Sequence, residues 1–340
     1  MKWNFGDGTP VLVFAVIAAA AFLITSSSMG VAVEIDARSP PAALGLKHGP
    51  INPRRNPDGS LKRGLQNQMI DGAWSGYAVA NFQTGQYYTS AVATWQVPAV
   101  TYGYTTDTSG WEYSSTWVGI GGFCEAENPQ GTNCTLVDGT LIQLGTSSEV
   151  PAGGGAYYWA WYEMLPAGSY AITVGNSNPV NAGDIITASL ECTSSCSPGA
   201  MQTWTLSMTD ETAGWTWAQT FQYASNLLSA EWILEAPGYG APLDDYVQQT
   251  LDPVSANGAN PNLSAATNGI VMEDQWGQTS SPSSPALGQW FSTCYGAGTT
   301  LTSCTPGTFI STDGTSGGST GGTSGGRSGG GGAGGGKKKK

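Results

Sequence analysis

The central part of this chain has no basic side chains. No lysine, arginine or histidine lies between Arg63 and Arg327, and the single histidine of the 340-residue chain is His48. Four of the 24 acidic residues precede this stretch and the other twenty lie within residues 64–326, so its formal charge at neutral pH is −20. These carboxylates have no internal cations to offset their mutual repulsion, which fades when Asp and Glu are protonated below about pH 4. The composition favours an acidic working environment; the alternative is an acidic secreted domain whose charge has no relation to pH.

The missing residue types also exclude whole classes of function. Nucleic-acid binding is disfavoured, because nothing in the stretch can neutralise phosphates. Ser-His-Asp and Cys-His catalysis, lysine-assisted nucleophiles and histidine-ligated metals all need residues that are absent. We therefore expect no cofactor. If the domain is an enzyme, the remaining chemistry is a carboxyl group acting as general base and acid, helped by neutral hydrogen-bond donors.

The chain divides into four zones. Residues 1–32 carry Lys2, an apolar run over residues 11–24 and a small-residue exit, which is typical of a secretory signal peptide; an uncleaved anchor is the alternative. Residues 33–70 are basic and proline-rich, which indicates a cleavable pro-segment. Residues 71–311 are long enough to form one domain with a substantial core. Residues 312–340 are rich in Gly and Ser and end in four lysines, a composition typical of a disordered tail.

Six cysteines form three close pairs along the chain: Cys124 with Cys134, Cys192 with Cys196, and Cys294 with Cys304. An even number of cysteines in an exported chain favours disulfides. Three local loops are the simplest of the fifteen possible connectivities. The short Cys192-to-Cys196 spacing could also indicate a zinc site, but no histidine is nearby to complete it.

The hydrophobic pattern of the domain has a period of two. Alternate residues in Tyr87–Val97, Ala156–Glu163 and Thr203–Met208 are aromatic or apolar, and turn residues recur every eight to fifteen positions. No long segment has a convincing helical period. We therefore predict an all-β fold, a sandwich or a related barrel.

A series of short motifs occurs in a fixed order along the domain. They are AWSG (73–76), WQVP (95–98), WVGI (117–120), LIQLGT with Gln143, AWYE (160–163) and AEWILE (230–235). This series resembles the eqolisins, the glutamic peptidases, over residues 73–238. The resemblance implies a concanavalin A-like sandwich of two antiparallel seven-stranded sheets, and an acid-active endopeptidase made as a preproprotein.

The resemblance also implies which residues form the site. Gln143 and Glu235 match the catalytic dyad of the family. Trp117, Trp161 and Glu163 match residues that line its substrate cleft. No metal ligands are implied.

Three positions depart from the family pattern. Gly121 stands where fungal members have an aspartate after WVGI, and Trp159 replaces the aspartate before AWYE. Ser147 stands where an aspartate follows the catalytic glutamine. The dyad itself is intact.

The expected mechanism uses both members of the dyad. Ionised Glu235 would take a proton from a bound water that attacks the scissile carbonyl, and would then pass the proton to the leaving amine. Gln143 would hold the water with its amide oxygen and donate an N–H to the oxyanion, an interaction worth roughly 3–4 kcal/mol at measured oxyanion holes. Glu231 shares the two-residue period of Glu235, but the family motif selects the second glutamate.

Two further functions fit the same residues. A glycoside hydrolase would use Glu163 and Glu235 as acid and nucleophile, and a carbohydrate-binding module would use Trp159 and Trp161 as stacking platforms. For the peptidase, we expect a secreted monomer that cleaves unfolded or flexible polypeptides. The basic residues of the pro-segment, His48 included, would dock against the acidic cleft as an inhibitor and be released by acid.

Overall fold

The computed structural model describes most of the domain and part of the segment before it. The described residues are 47–64, 67–103, 110–127, 134–238, 241–296 and 304–307. The predicted signal peptide, the first part of the predicted pro-segment and the predicted tail lie outside the described residues. Within the described ranges, no helix combines the length and the apolar character needed to cross a membrane.

Strands dominate the described residues, and the helices are single turns. The strands are β1 Met69–Asp71, β2 Trp74–Ala80, β3 Ser90–Gln96, β4 Trp111–Gly121, β5 Cys124–Glu127, β6 Cys134–Val137, β7 Leu141–Pro151, β8 Tyr157–Met164, β9 Tyr170–Ala171, β10 Ile185–Ser194, β11 Gln202–Asp210, β12 Trp215–Tyr223, β13 Ser229–Glu235, β14 Gln248–Ala256, β15 Gly269–Glu273, β16 Thr279–Pro282 and β17 Phe291–Tyr295. The helices are α1 Asn81–Thr84 and α2 Ala265–Asn268.

The strands form one long, folded sheet. Their order is β12-β11-β10-β3-β14-β17-β16-β15-β2-β13-β4-β7-β8-β9, and β1 adds to β15 in parallel. Strands β5 and β6 form a separate two-stranded sheet. The all-β prediction is confirmed. The arrangement differs from two separate seven-stranded sheets. Strands β15 and β16 connect the two halves, so they form one continuous 15-stranded sheet.

The two halves of the sheet pack face to face around one core. Trp95 of β3 and Leu206 of β11 belong to the same buried cluster as Leu144 of β7 and Ala160 of β8. The Trp95 indole also donates a hydrogen bond across the core to Thr146 Oγ1 at 3.0 Å. This packing makes the fold a β-sandwich.

The period of two places side chains as predicted in the outer strands. In β11, Trp204, Leu206 and Met208 are fully buried while the intervening residues are half-buried. Strand β13 differs, because it lies between β2 and β4 and all seven of its residues are buried. Its glutamates therefore do not form a solvent-facing row.

The three predicted disulfides are confirmed. They join Cys124 to Cys134, Cys192 to Cys196, and Cys294 to Cys304. Among the described residues, there is no free cysteine. Each bridge closes a short local loop rather than linking the two halves of the sandwich.

Residues 47–64, which we call the N-terminal segment, pack on the sandwich. The segment pairs with β1 through antiparallel bridges at Pro53–Asp71 and Arg63–Met69. Its apolar side chains Ile51 and Leu61 are each 3% exposed. The predicted boundary between residues 70 and 71 falls inside β1, which pairs with the central part of the sheet.

Candidate active site

The pairing of three neighbouring strands brings four of the predicted site residues to one face. Strand β7 lies between β4 and β8, so Gln143 is directly opposite Glu163 on β8. Two residues further along β7, Gly145 lies opposite both Trp117 and Trp161. Residues two apart on a strand point to the same face, and these side chains therefore project together.

Small residues make room for the large ones on this face. A Cβ on Gly145 would collide with the backbone oxygen of Thr116 and lie 2.6 Å from Trp117 Cβ. A Cβ on Gly119 would lie 2.9 Å from the Trp117 ring and 3.3 Å from Gln143 Cβ. Both glycines allow the indole of Trp117 to lie flat across the strands.

Glu235 reaches the same face from β13. It is the last residue of that strand and pairs with Ser115 of β4. Its carboxyl group is 1% exposed, and Oε2 accepts a hydrogen bond from the Trp117 indole N–H at 2.8 Å. Trp117 thus fixes the direction in which this carboxyl group points.

Gln143 presents its amide group on the same face of the sheet as Glu235. Its Nε2 donates to Glu163 Oε2 at 3.0 Å and to the backbone oxygen of His48 at 3.2 Å. The bond to Glu163 fixes which end of the amide is the donor. Within the described part of the chain, Gln143 Oε1 is buried and has no hydrogen-bond partner. It is therefore available to hold a water or a substrate group.

Glu163 is a neutral group in acid. Burial, with a smaller contribution from the charge of Glu235, raises its pKa to about 8. Its Oε2 also accepts the backbone N–H of His48 at 3.1 Å. A protonated Glu163 orients Gln143 without adding a second negative charge next to Glu235.

The side chain of Trp161 is fully buried in this site. Its indole N–H donates to Ser115 Oγ at 3.1 Å, and Ser115 Oγ lies 3.1 Å from Ser147 Oγ. Ser147 is one of the positions where the family pattern has an acid, and here a hydroxyl network takes its place. Trp159, by contrast, is half-buried and donates its N–H to Glu149 Oε1 at 2.6 Å.

The sequence reasoning missed the position of His48. This residue is 1% exposed, its Nδ1 lies 2.9 Å from Glu235 Oε2, and its ring stacks on Trp161 with centroids 3.7 Å apart and planes within 4°. Its backbone contacts Gln143 and Glu163. The only feature of the sequence that could have indicated this position is that the single histidine of the chain lies in the N-terminal segment.

Asp71 ties the N-terminal segment to the domain. Its carboxyl group accepts backbone N–H bonds from Asn52 of the segment and from Ala73 and Trp74 of the domain, at 2.6 to 2.8 Å. Burial raises its pKa to about 6. The two basic side chains Arg54 and Lys62 add contacts to Glu273, the latter an ion pair of 2.7 Å.

Glu231, the other glutamate with the same spacing, lies on the same face of the sheet, four residues before Glu235 on β13. It pairs with Gly119, so β4 separates it from Gln143. Burial raises its pKa well above the ordinary value. Among the described residues, no group of three His, Cys, Asp or Glu side chains is arranged to hold a metal ion.

Comparison with known proteins agrees with these motifs. The chain matches the Peptidase A4 family over residues 72–288. It is similar to a crystal structure of scytalido-glutamic peptidase with a peptide-based transition state analog, with 18% identity over 66% of this chain and 98% of that chain and a TM-score of 0.42. It is also similar to SCP-B, an eqolisin in a complex with the tripeptide Ala-Ile-His, with 17% identity over the same shares and a TM-score of 0.40.

No curated protein matches the chain. The family match covers both Gln143 and Glu235, and it begins after His48. Because it spans more than half of the sequence, it confirms the resemblance of the motifs: the chain belongs to the Peptidase A4 family, the eqolisins, and is a glutamic endopeptidase.

Proposed function

We propose that the protein is a secreted, acid-active endopeptidase in which Glu235 is the general base and acid and Gln143 stabilises the oxyanion. One observation carries this proposal. The Glu235 carboxyl and the Gln143 amide converge on one residue, His48: Glu235 contacts its imidazole, and Gln143 Nε2 donates to its backbone carbonyl oxygen. That is the arrangement an amide-hydrolysing dyad needs toward its substrate.

Glu235 would act first as a base. Ionised, it takes a proton from a water that lies where His48 Nδ1 now lies, and the water oxygen attacks the scissile carbonyl carbon. The protonated Glu235 then gives its proton to the leaving amine. The Trp117 indole N–H, 2.8 Å from Glu235 Oε2, supports the ionised form before the proton is transferred.

Gln143 would bind both the attacking water and the scissile carbonyl group. Its free Oε1 accepts a hydrogen bond from the water, and its Nε2 donates to the carbonyl oxygen as negative charge develops there. Loss of one such donor costs about 10²–10³ in kcat at other oxyanion holes. Glu163 keeps the amide in this orientation, and its raised pKa keeps it protonated throughout the acidic range.

The expected substrate is an unfolded or flexible polypeptide. In the N-terminal segment, the site contacts a backbone N–H through Glu163 and a backbone C=O through Gln143. Only an extended chain can offer both groups of one residue to a cleft at once. Export is supported by three disulfides, which persist in oxidising compartments, and by the predicted signal peptide over residues 1–32.

The test is digestion of an unfolded protein by the acid-processed chain at pH 3 and pH 7. Wild type should be active at pH 3, Glu235→Gln should lose at least about 10³-fold and Gln143→Ala about 10²–10³-fold. Glu231→Gln is the matched control, because Glu231 is a buried carboxyl on the same strand and burial raises its pKa well above the ordinary value. It should retain activity.

Two results would count against the proposal. Full proteolysis by both dyad variants would exclude Glu235 and Gln143 as the catalytic pair. An absence of proteolysis after the N-terminal segment has been removed, with cleavage of a polysaccharide instead, would favour the glycoside hydrolase alternative.

A further inference from the structure

The N-terminal segment occupies the site through one residue. His48 contacts four of the five predicted site residues: its ring lies on Trp161 and against Glu235, and its backbone bonds to Gln143 and Glu163. The other residues of the segment contact the domain further away, as Arg54 and Lys62 do at Glu273. The segment is therefore held at the site and also outside it, along β1 and at Glu273.

The backbone of His48 lies as that of a substrate residue would. Its N–H donates to Glu163 Oε2 at 3.1 Å, and its carbonyl oxygen accepts from Gln143 Nε2 at 3.2 Å. The carbonyl that faces the oxyanion donor belongs to the peptide bond between His48 and Gly49. The peptide bond between His48 and Gly49 therefore lies where the scissile bond of a substrate would lie.

The side chain of His48 lies where the attacking water should be. Its Nδ1 is 2.9 Å from Glu235 Oε2, which is the distance at which the base would hold the water. The parallel contact with Trp161, with centroids 3.7 Å apart, keeps the ring in this place. Both side chains are buried, at 1% exposure for His48 and for Glu235, so the ring covers the Oε2 atom of the base.

We infer that His48 makes the N-terminal segment a substrate that cannot be cut: its backbone takes the substrate's place while its imidazole excludes the water from Glu235. This inference rests on the proposed function and adds the residue by which the segment inhibits the site. Removing the imidazole turns the segment from an inhibitor into a substrate. Water then enters, its oxygen bonds to the carbonyl carbon of residue 48, the bond to the Gly49 nitrogen breaks, and the proton taken by Glu235 goes to the Gly49 amine.

The test uses the full chain and a His48→Ala variant, with two measurements. The first is the initial rate of digestion of an unfolded protein at pH 4, before processing is complete. The second is the mass of the fragments, which shows whether a new chain begins at Gly49. His48→Ala should be about tenfold or more faster than wild type at early times, because a hydrogen bond to a charged group and a ring contact are lost. It should also produce the Gly49 terminus, which wild type should not.

Three variants make the result specific. His48→Asn places an amide near the position of Nδ1 and should restore part of the latency. Lys62→Ala removes the half-exposed ion pair with Glu273 outside the site, and it should not create a cut after residue 48. His48→Ala combined with Glu235→Gln should show no Gly49 terminus, because the same site makes the cut.

The outcomes separate this inference from the proposed function. If His48→Ala is as latent as wild type and is not cut after residue 48, while Glu235→Gln still abolishes proteolysis by the processed chain, the role of His48 is wrong and the dyad stands. If no form of the processed chain digests protein, the proposed function fails and this inference fails with it.

Discussion

Glu149 should make the fold lose stability as the pH rises. This carboxyl group on β7 is 1% exposed, and burial raises its pKa from 4.5 to about 7, against the opposing effect of the hydrogen bond from the Trp159 indole. The folded protein therefore holds this proton more tightly than the unfolded chain does. The stabilisation is complete below pH 4.5 and is lost as the pH rises through about 7.

The size of the effect follows from the same shift. A rise of the pKa from 4.5 to about 7 corresponds to about 3 kcal/mol of the free energy of unfolding. The full amount applies because Glu149 is almost inaccessible to solvent. Glu149→Gln mimics the protonated form and keeps an oxygen for the Trp159 N–H, so the variant should match wild type near pH 4 and exceed it by about 3 kcal/mol near pH 8.

Urea unfolding, followed by tryptophan fluorescence from pH 3.5 to 8, measures this difference. The control is Glu191→Gln, which changes an exposed carboxyl on β10 and should shift the free energy of unfolding by less than about 0.5 kcal/mol at any pH. The reasoning is refuted if Glu149→Gln and wild type have parallel stability curves over the whole range, since the buried carboxyl would then titrate like a solvated one.

Two variants of the site test its geometry. Trp117→Phe removes the 2.8 Å indole hydrogen bond to Glu235, and steady-state kinetics should show kcat reduced by about 10- to 100-fold; an unchanged kcat would mean that the carboxyl is held by other contacts. Gly145→Ala places a methyl group 2.6 Å from Trp117 Cβ and against the Thr116 backbone oxygen, and it should cost about 1–3 kcal/mol in unfolding experiments and reduce kcat as well. A variant of wild-type stability and activity would show that Trp117 can move without consequence.

The sequence predicted the fold through local patterns. Strands β3 and β11 contain alternate apolar residues, and the alternation is visible because each of them has one face on the core and one partly exposed. In β8 both faces carry aromatic residues, since Tyr158 and Tyr162 pack against the core and Trp161 lies in the site. The close cysteine pairs predicted the disulfides for a similar reason, since each bridge spans ten residues or fewer. In β13, both faces are buried, and alternation alone does not distinguish Glu231 from Glu235.

The candidate site depended on information that no local pattern contains. Gln143 and Glu163 come together because β7 and β8 pair in one register, and a shift by one residue would move them to opposite faces. The resemblance to the family motifs identified both residues, because members of one family share the strand register as well as the order of the motifs. His48 contacts Glu235 across 187 positions of sequence, and it lies before the residues that match the family. Composition predicted a charge for the segment, but it could not predict which of its residues would contact Glu235.

The absence of basic residues from the domain also determines which groups contact its carboxyl groups. Between Arg63 and Arg327 the domain has no cation, so every positive group that faces its carboxyls in the described structure belongs to the N-terminal segment. Arg54 and Lys62 lie against Glu273, and His48 lies against Glu235. A domain with its own cations would retain such contacts after processing. Under the proposed processing they would all be lost with the segment, so one cleavage would free Glu235 and would also leave the remaining carboxylates to repel one another unless the surroundings are acidic.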